Sequence, residues 1–288
     1  QGDKMAGDIS MAHTGKSQIW RYARYIVSLL QALKKNRKNL LSEYDNDALH
    51  DFRVALRRIL SIDALLKKTV GFGFDESLRM ELKSALSISS QLRDIEEFSG
   101  FAPSHAAAFE GQKQDYREQL LSKLDGLALE RMAARSYTVI MDTLKPHQNK
   151  FLRFRGDALE VVISGMLKTS RRYVKLAKED EVDFDALHSV RKKCKRYRYQ
   201  LDFLFLCENE GSAACKRIQD KLGRVNDLRM WLLMVDDEAL LDKIRGLLAT
   251  ALQEAKSEAA VFGSKEYCGA IGVALKRRMD VGSQLGIV

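Results

Sequence analysis

The chain has 288 residues, 45% of them hydrophobic, enough for one large core or two of ordinary size. Its 48 Lys+Arg against 39 Asp+Glu leave a net charge of +9, which favours a polyanionic partner such as nucleic acid, polyphosphate or an anionic membrane without choosing among them. Only Pro103 and Pro146 interrupt it, which argues against a turn-rich all-β fold and permits long helices.

Residues 1–16 are polar and glycine-containing and are expected to form a flexible N-terminal segment, with Gln1 to Lys4 ahead of Met5 reading as a tag remnant. From there apolar residues recur at three- and four-residue intervals and β-type alternation is nowhere sustained, so the chain reads as all-α. The first half holds helices near 17–41, 47–69, 75–99, 104–124 and 128–145, with breaks at Gly71/Gly73, Gly100 to Pro103, Asp125/Gly126 and Lys145/Pro146. The second holds helices near 149–178, 184–208, 212–231, 234–261 and 264–280, broken at Glu179 to Asp185, Glu208 to Gly211 and Gly263. A seam near Pro146 therefore divides repeat halves of about 17–145 and 149–280, and residues 281–288 are a C-terminal tail.

Cys194, Cys207, Cys215 and Cys268 form no C-x-x-C pair, so neither a disulfide scaffold nor a zinc knuckle is expected. The longer apolar runs, Phe203 to Cys207 and Met230 to Val235, are far short of the ~20 residues that span a bilayer, and no signal-peptide core is visible. A soluble, cytoplasmic protein with no membrane partner is the expectation.

The division into halves rests on a repeat. Laid over 183–204 without a gap, residues 45–66 share Asp45/Asp183, Asp47/Asp185, Ala48/Ala186, Leu49/Leu187, His50/His188, Arg53/Arg191, Arg58/Arg196 and Leu66/Leu204. Unrelated segments of that length would share about one, so the chain carries an internal duplication. A second correspondence follows each copy, Leu92-Arg93-Asp94-Ile95 against Val225-Asn226-Asp227-Leu228. Two antiparallel bundles related by a pseudo-twofold are the natural packing of such halves.

At about 100° per residue, His50, Arg53 and Arg57 fall in one row beside the apolar row Leu49, Phe52, Leu56 and Ile59. His188, Arg191, Lys195 and Arg198 repeat that row beside Leu187, Val190, Cys194, Tyr197 and Leu201. Cations bordering a buried face are expected to line a groove or channel. Asp47 and Asp185 are expected as N-caps, which puts His50 and His188 in a first turn whose free N–H groups favour anions. There an imidazole can donate to a phosphate oxygen while Arg makes bidentate contacts. Two such copies suit an extended polyanion better than a compact nucleotide.

The pattern His50-x-x-Arg53-x-x-x-Arg57-Arg58, its copy His188-x-x-Arg191-x-x-x-Lys195-Arg196-x-Arg198-Tyr199, and the trailing Asp94 and Asp227 segments resemble the conserved-histidine α-helical domain, CHAD, over about residues 17–280. The resemblance implies paired four-helix bundles with internal twofold symmetry around a central basic channel. It also implies binding of inorganic polyphosphate, and for some members association with polyphosphate granules. Carried over, it makes His50, Arg53, Arg57, Arg58, His188, Arg191, Lys195, Arg196 and Arg198 polyphosphate ligands, with Asp94, Asp227 and Tyr199 in support. Where the family often has another Arg two residues after Arg58, this chain has Leu60, which implies a weaker grip in the first half.

Asp94 and Asp227 sit among cations, so a salt-bridging role is expected and no metal site is assigned. His50-Asp51 resembles the HD pair of phosphohydrolases, but the second copy reads His188-Ser189 and further metal-binding histidines have no source. There is no phosphate-binding G-x-x-x-x-G-K-[ST] loop and no Glu-x-Glu-x-Lys signature of the triphosphate tunnel enzymes that often accompany CHAD and would be an enzyme partner. The expectation is binding without catalysis and without a cofactor. A nucleic-acid-binding helical module is the alternative, although Tyr22, Tyr25, Tyr197, Tyr199 and Trp231, the aromatics weighed for base stacking, mostly lie at helical core spacing, and a metal-dependent phosphohydrolase stands behind it.

Overall fold

The computed structural model describes residues 2–42, 44–71, 76–125 and 148–285. Among them every regular element is helical, as the three- and four-residue periodicity requires. The elements are α1 (Gly2–Ser42), α2 (Asn46–Val70), α3 (Glu76–Phe101), a 3-10 helix (Pro103–Phe109), α4 (Glu110–Asp125), α5 (Gln148–Ala177), α6 (Phe184–Phe205), α7 (Glu210–Leu232), α8 (Glu238–Phe262) and α9 (Lys265–Leu285). The helix expected at 128–145 and the break at Pro146 lie outside the described residues. The chain divides into two compact units, residues 1–154 and 155–288, with the division inside α5.

Three expectations change at element ends. α1 reaches back to Gly2, so the stretch expected as a flexible lead-in continues the helix, and it contains no proline to stop it. The helix expected over 104–124 begins as a 3-10 segment behind Pro103, and α4 proper starts at Glu110. α9 runs on to Leu285, into the expected tail.

In the first unit α1 packs on α2, α2 on α3, α3 on α4, and α4 returns to α1, which closes a four-helix bundle. Leu49, Phe52, Leu56 and Ile59, the apolar row read from the sequence, are all buried in it. Arg37 ties α1 to the end of α4, its Nε donating to the Leu124 carbonyl at 2.6 Å and its Nη2 to that of Asp125 at 3.1 Å. The two bonds fasten α1 to α4 at the last described residues of that helix. Deeper in, Arg79 of α3 grips Asp63 of α2 through Nε at 2.8 Å and Nη2 at 3.4 Å, a buried two-point ion pair that also holds Glu76.

In the second unit α6 packs on α7 and α7 on α8, with α9 against both α7 and α8. The part of α5 in this unit is fixed by side chains reaching across: Tyr173 Oη donates to the Ala255 carbonyl at 2.6 Å and Ser170 Oγ to that of Phe262 at 2.9 Å. Burial pushes the Tyr173 phenol well above its ordinary pKa, so it remains a donor. Close approach sets two glycines. A Cβ at Gly165 would stand 2.6 Å from Tyr197 Oη, and one at Gly263 would stand 1.8 Å from Val174 Cγ2. The row Leu187, Val190, Cys194, Tyr197 and Leu201 is buried as the wheel requires.

Candidate functional site

The N-caps of the two repeated helices lie two residues earlier than expected, at Asp45 and Asp183. Asp45 is the N-cap of α2, its carboxylate accepting from the backbone N–H of Asp47 and Ala48 at 3.1 Å each. Asp183 caps α6 in the same way, accepting from Ala186 N–H at 2.8 Å. The reason lies in the repeat, which offers two aspartates: the first has the non-helical backbone from which a side chain can reach forward to the free N–H groups. Asp47 and Asp185 are therefore residues of the first turn, and His50 and His188 lie just beyond it. Carboxylates already occupy both helix N-termini, against the expectation of N–H groups left free there for an anion.

Asp185 is exposed and bound to Arg229 Nη1 at 2.8 Å, and that guanidinium holds its carboxyl below the ordinary aspartate range. The bond links the first turn of α6 to the last turn of α7.

In the first unit the row is unevenly presented. His50 is exposed, Arg57 and Arg58 are half-buried, and Arg53 is only 7% exposed. Arg53 Nη2 donates to Ser90 Oγ of α3 at 3.5 Å, a long contact, while its Nε is buried with no hydrogen bond. Burial, reinforced by Arg57, lowers its pKa to about 10, while Asp94 and Glu97 act in the opposite sense. It is still a cation at neutral pH. The surroundings on α3 are acidic: Arg93 Nε donates to Glu97 at 2.8 Å, and Glu96 accepts from Tyr44 Oη at 2.7 Å. Arg117 of α4 lies over the Tyr44 ring at 4.2 Å, completing a cluster of alternating sign.

In the second unit the row is more open. His188, Arg191, Lys195 and Arg198 are half-buried and Arg196 is exposed. His188 Nδ1 meets Asn226 Oδ1 of α7 at 2.6 Å. Arg191 Nη2 stands 3.9 Å from Asp227 Oδ1, and Arg198 Nη1 donates to Gln219 Oε1 at 3.1 Å. Each of these three side chains is thus steadied by a partner on α7 while its helix keeps it at the edge of the buried face. Desolvation lowers the His188 pKa, the Asn226 bond opposes that, and Lys192, Arg191 and Lys195 add to the depression.

The sequence reading placed Asp94 and Asp227 among cations, and the structure brings Asp227 to Arg191 and the Asp94 charge to Arg53. It missed Ser90, Glu96, Glu97, Gln219 and Asn226 as partners of the rows. Asn226 was within reach, since it sits one residue before Asp227 in a segment already matched between halves. Of the aromatics considered for stacking, Tyr22, Tyr197, Tyr199 and Trp231 are buried, so they are core residues. Among the described residues no group of three or more His, Cys, Asp or Glu side chains is arranged to hold a metal ion. Among them, too, no helix is long and apolar enough to cross a membrane.

The CHAD domain family model matches residues 24–236 of this chain, a span that includes both rows and both trailing aspartates. The chain belongs to the CHAD domain family. Its fold is similar to that in the crystal structure of the CHAD domain from the plant Ricinus communis, with a TM-score of 0.59 at 16% identity, over 90% of this chain and 91% of that one. No curated protein matches the sequence.

Proposed function

We propose that this CHAD domain binds inorganic polyphosphate through its two His/Arg/Lys rows, without turnover. The observation that carries this is the repeated placement of cations beside a histidine at the border of a buried helix face, with Arg191 and Arg198 of α6 steadied from α7 by Asp227 and Gln219 and His188 by Asn226. Cations held in place lose less entropy on meeting an anion than cations on a freely solvated face. Arginines can grip phosphate oxygens at two points, and two rows in one chain favour a linear polymer over a single phosphate group.

Several simultaneous phosphate contacts release counterions, so affinity falls steeply as salt rises. The deciding experiment is a titration with long-chain polyphosphate at fixed salt. Arg53→Ala combined with Arg191→Ala is expected to weaken binding at least about tenfold, a loss of ~1.4 kcal/mol, while the helical circular dichroism is retained. Unchanged affinity overturns the assignment. Displacement of polyphosphate by single-stranded or duplex DNA at equal phosphate concentration would transfer the assignment to nucleic acid. Phosphate release that a chelator abolishes would transfer it to a metal-dependent hydrolase.

A further inference from the structure

The contact between His188 and Asn226 has a chemical consequence for any anion bound beside it. A carboxamide oxygen only accepts hydrogen bonds, so the proton in the 2.6 Å contact between His188 Nδ1 and Asn226 Oδ1 belongs to Nδ1. A neutral imidazole has one N–H, which leaves Nε2 with a lone pair. The interior oxygens of a polyphosphate chain carry no proton, so that lone pair faces another lone pair and repels it. Only the imidazolium can donate to Asn226 and to a phosphate at once.

We infer that Asn226 is a positioning residue that fixes the protonated nitrogen of His188 and thereby makes phosphate binding at this row conditional on the uptake of one proton. The inference rests on the proposed reading of the row as a phosphate site. The charges facing the imidazole act in a consistent direction. On its own helix stand Arg191, Lys192 and Lys195, with Asp185 nearby but engaged by Arg229 of α7. From α7 comes Asp227, placed against Arg191. In the ligand-free protein burial and the three cations therefore favour the neutral ring, with Asn226 opposing them. A phosphate placed among the same cations cancels their effect and favours the charged ring. In the first unit the residue matched with Asn226 is Arg93, ion-paired to Glu97, and His50 is exposed, so the coupling belongs to the second row.

Calorimetric titration with tripolyphosphate at fixed salt, in buffers of different ionisation enthalpy, counts the protons taken up. Wild type is expected to take up a larger fraction of a proton than His188→Gln, and across about pH 6 to 8 its affinity should fall more steeply by up to about tenfold per pH unit. Asn226→Ala frees the ring to adopt the Nε2–H form, which donates to phosphate while neutral. That variant should bind within about threefold of wild type at pH 8 and lose the excess proton uptake. Nitrogen-15 NMR of the ligand-free wild type reads the same assignment independently, with neutral His188 expected as the Nδ1–H tautomer, and decides it even if Asn226→Ala folds poorly. Equal proton uptake in wild type and His188→Gln, or an Nε2–H tautomer in the free protein, overturns the coupling while leaving polyphosphate binding intact. No binding of tripolyphosphate or long-chain polyphosphate to wild type at any of these pH values removes the phosphate site itself, and the coupling with it.

Discussion

The Arg191 guanidinium stands 3.9 Å from the Asp227 carboxylate and lies against the backbone of α7 at Gly223, where a Cβ would meet Nε and Nη2 at 3.6 Å each. Those distances are ordinary contact, so a methyl group fits, and atoms beyond it extend toward the guanidinium. Gly223→Ala is therefore expected to stabilise the protein by about 0.5–1 kcal/mol, the usual gain in a helix interior, with polyphosphate affinity unchanged. Gly223→Leu should push Arg191 off its seat and weaken binding by about tenfold, the loss of one charge-assisted contact. Thermal melts and a titration on the two variants separate these effects.

The first row is opposed by acids that the second lacks. Glu97 holds Arg93 at 2.8 Å and its charge reaches Arg53, whereas the matched position in α7 is Met230. Glu97→Gln is expected to raise polyphosphate affinity by roughly threefold, an effect that shrinks as salt screens the carboxylate. For the same reason Arg191→Ala should weaken binding more than Arg53→Ala, because Arg53 is buried and partly compensated already. Titrations of the three single variants at low and high salt check the order.

The all-α class, the helix periods and the apolar rows were legible because each is a local pattern: Leu49, Phe52 and Leu56 recur at helical spacing whatever packs on them. The N-caps were misplaced by two residues because both Asp45 and Asp47 satisfy the capping preference, and only the backbone turn decides which is outside the helix. The basic rows were legible as composition but not as environment. Burial of Arg53 depends on Ser90 and its neighbours on α3, and the bond from His188 depends on which residue of α7 arrives opposite, contacts separated by tens of residues in sequence. Leu60 implies a weaker first half only through the family resemblance, whereas the pairing of Arg93 with Glu96 and Glu97 on α3 has no signature in the repeat.

Helix packing in the second unit rests on small residues at crossings. At Gly263 a Cβ would stand 1.8 Å from Val174 Cγ2 and 2.9 Å from the Ala259 carbonyl, so a methyl group forces α5 away from the end of α8. Gly263→Ala is expected to cost about 1–3 kcal/mol. Val174→Ala removes the first clash, so the double variant should be more stable than the sum of the two single changes predicts, although the carbonyl contact keeps the recovery incomplete. Denaturant unfolding of the four proteins closes the cycle.

His188 also sets a sign for stability against pH in the absence of ligand. Its folded pKa lies below the ordinary histidine value, chiefly through burial, so the unfolded chain takes up the proton first as pH falls. Above the unfolded value of about 6.5 the ring is neutral in both states and its folded environment carries no protonation penalty. Below that value stability is lost progressively until pH passes the folded pKa, where both states are charged and the loss levels off. Ligand-free wild type should therefore lose more melting temperature than His188→Gln between about pH 7 and pH 5, and tripolyphosphate should reverse the difference, since it favours the charged ring. Melts in a pH series with and without tripolyphosphate measure both, and a His188→Gln profile parallel to wild type in the ligand-free series would show that the imidazole is not the group responsible.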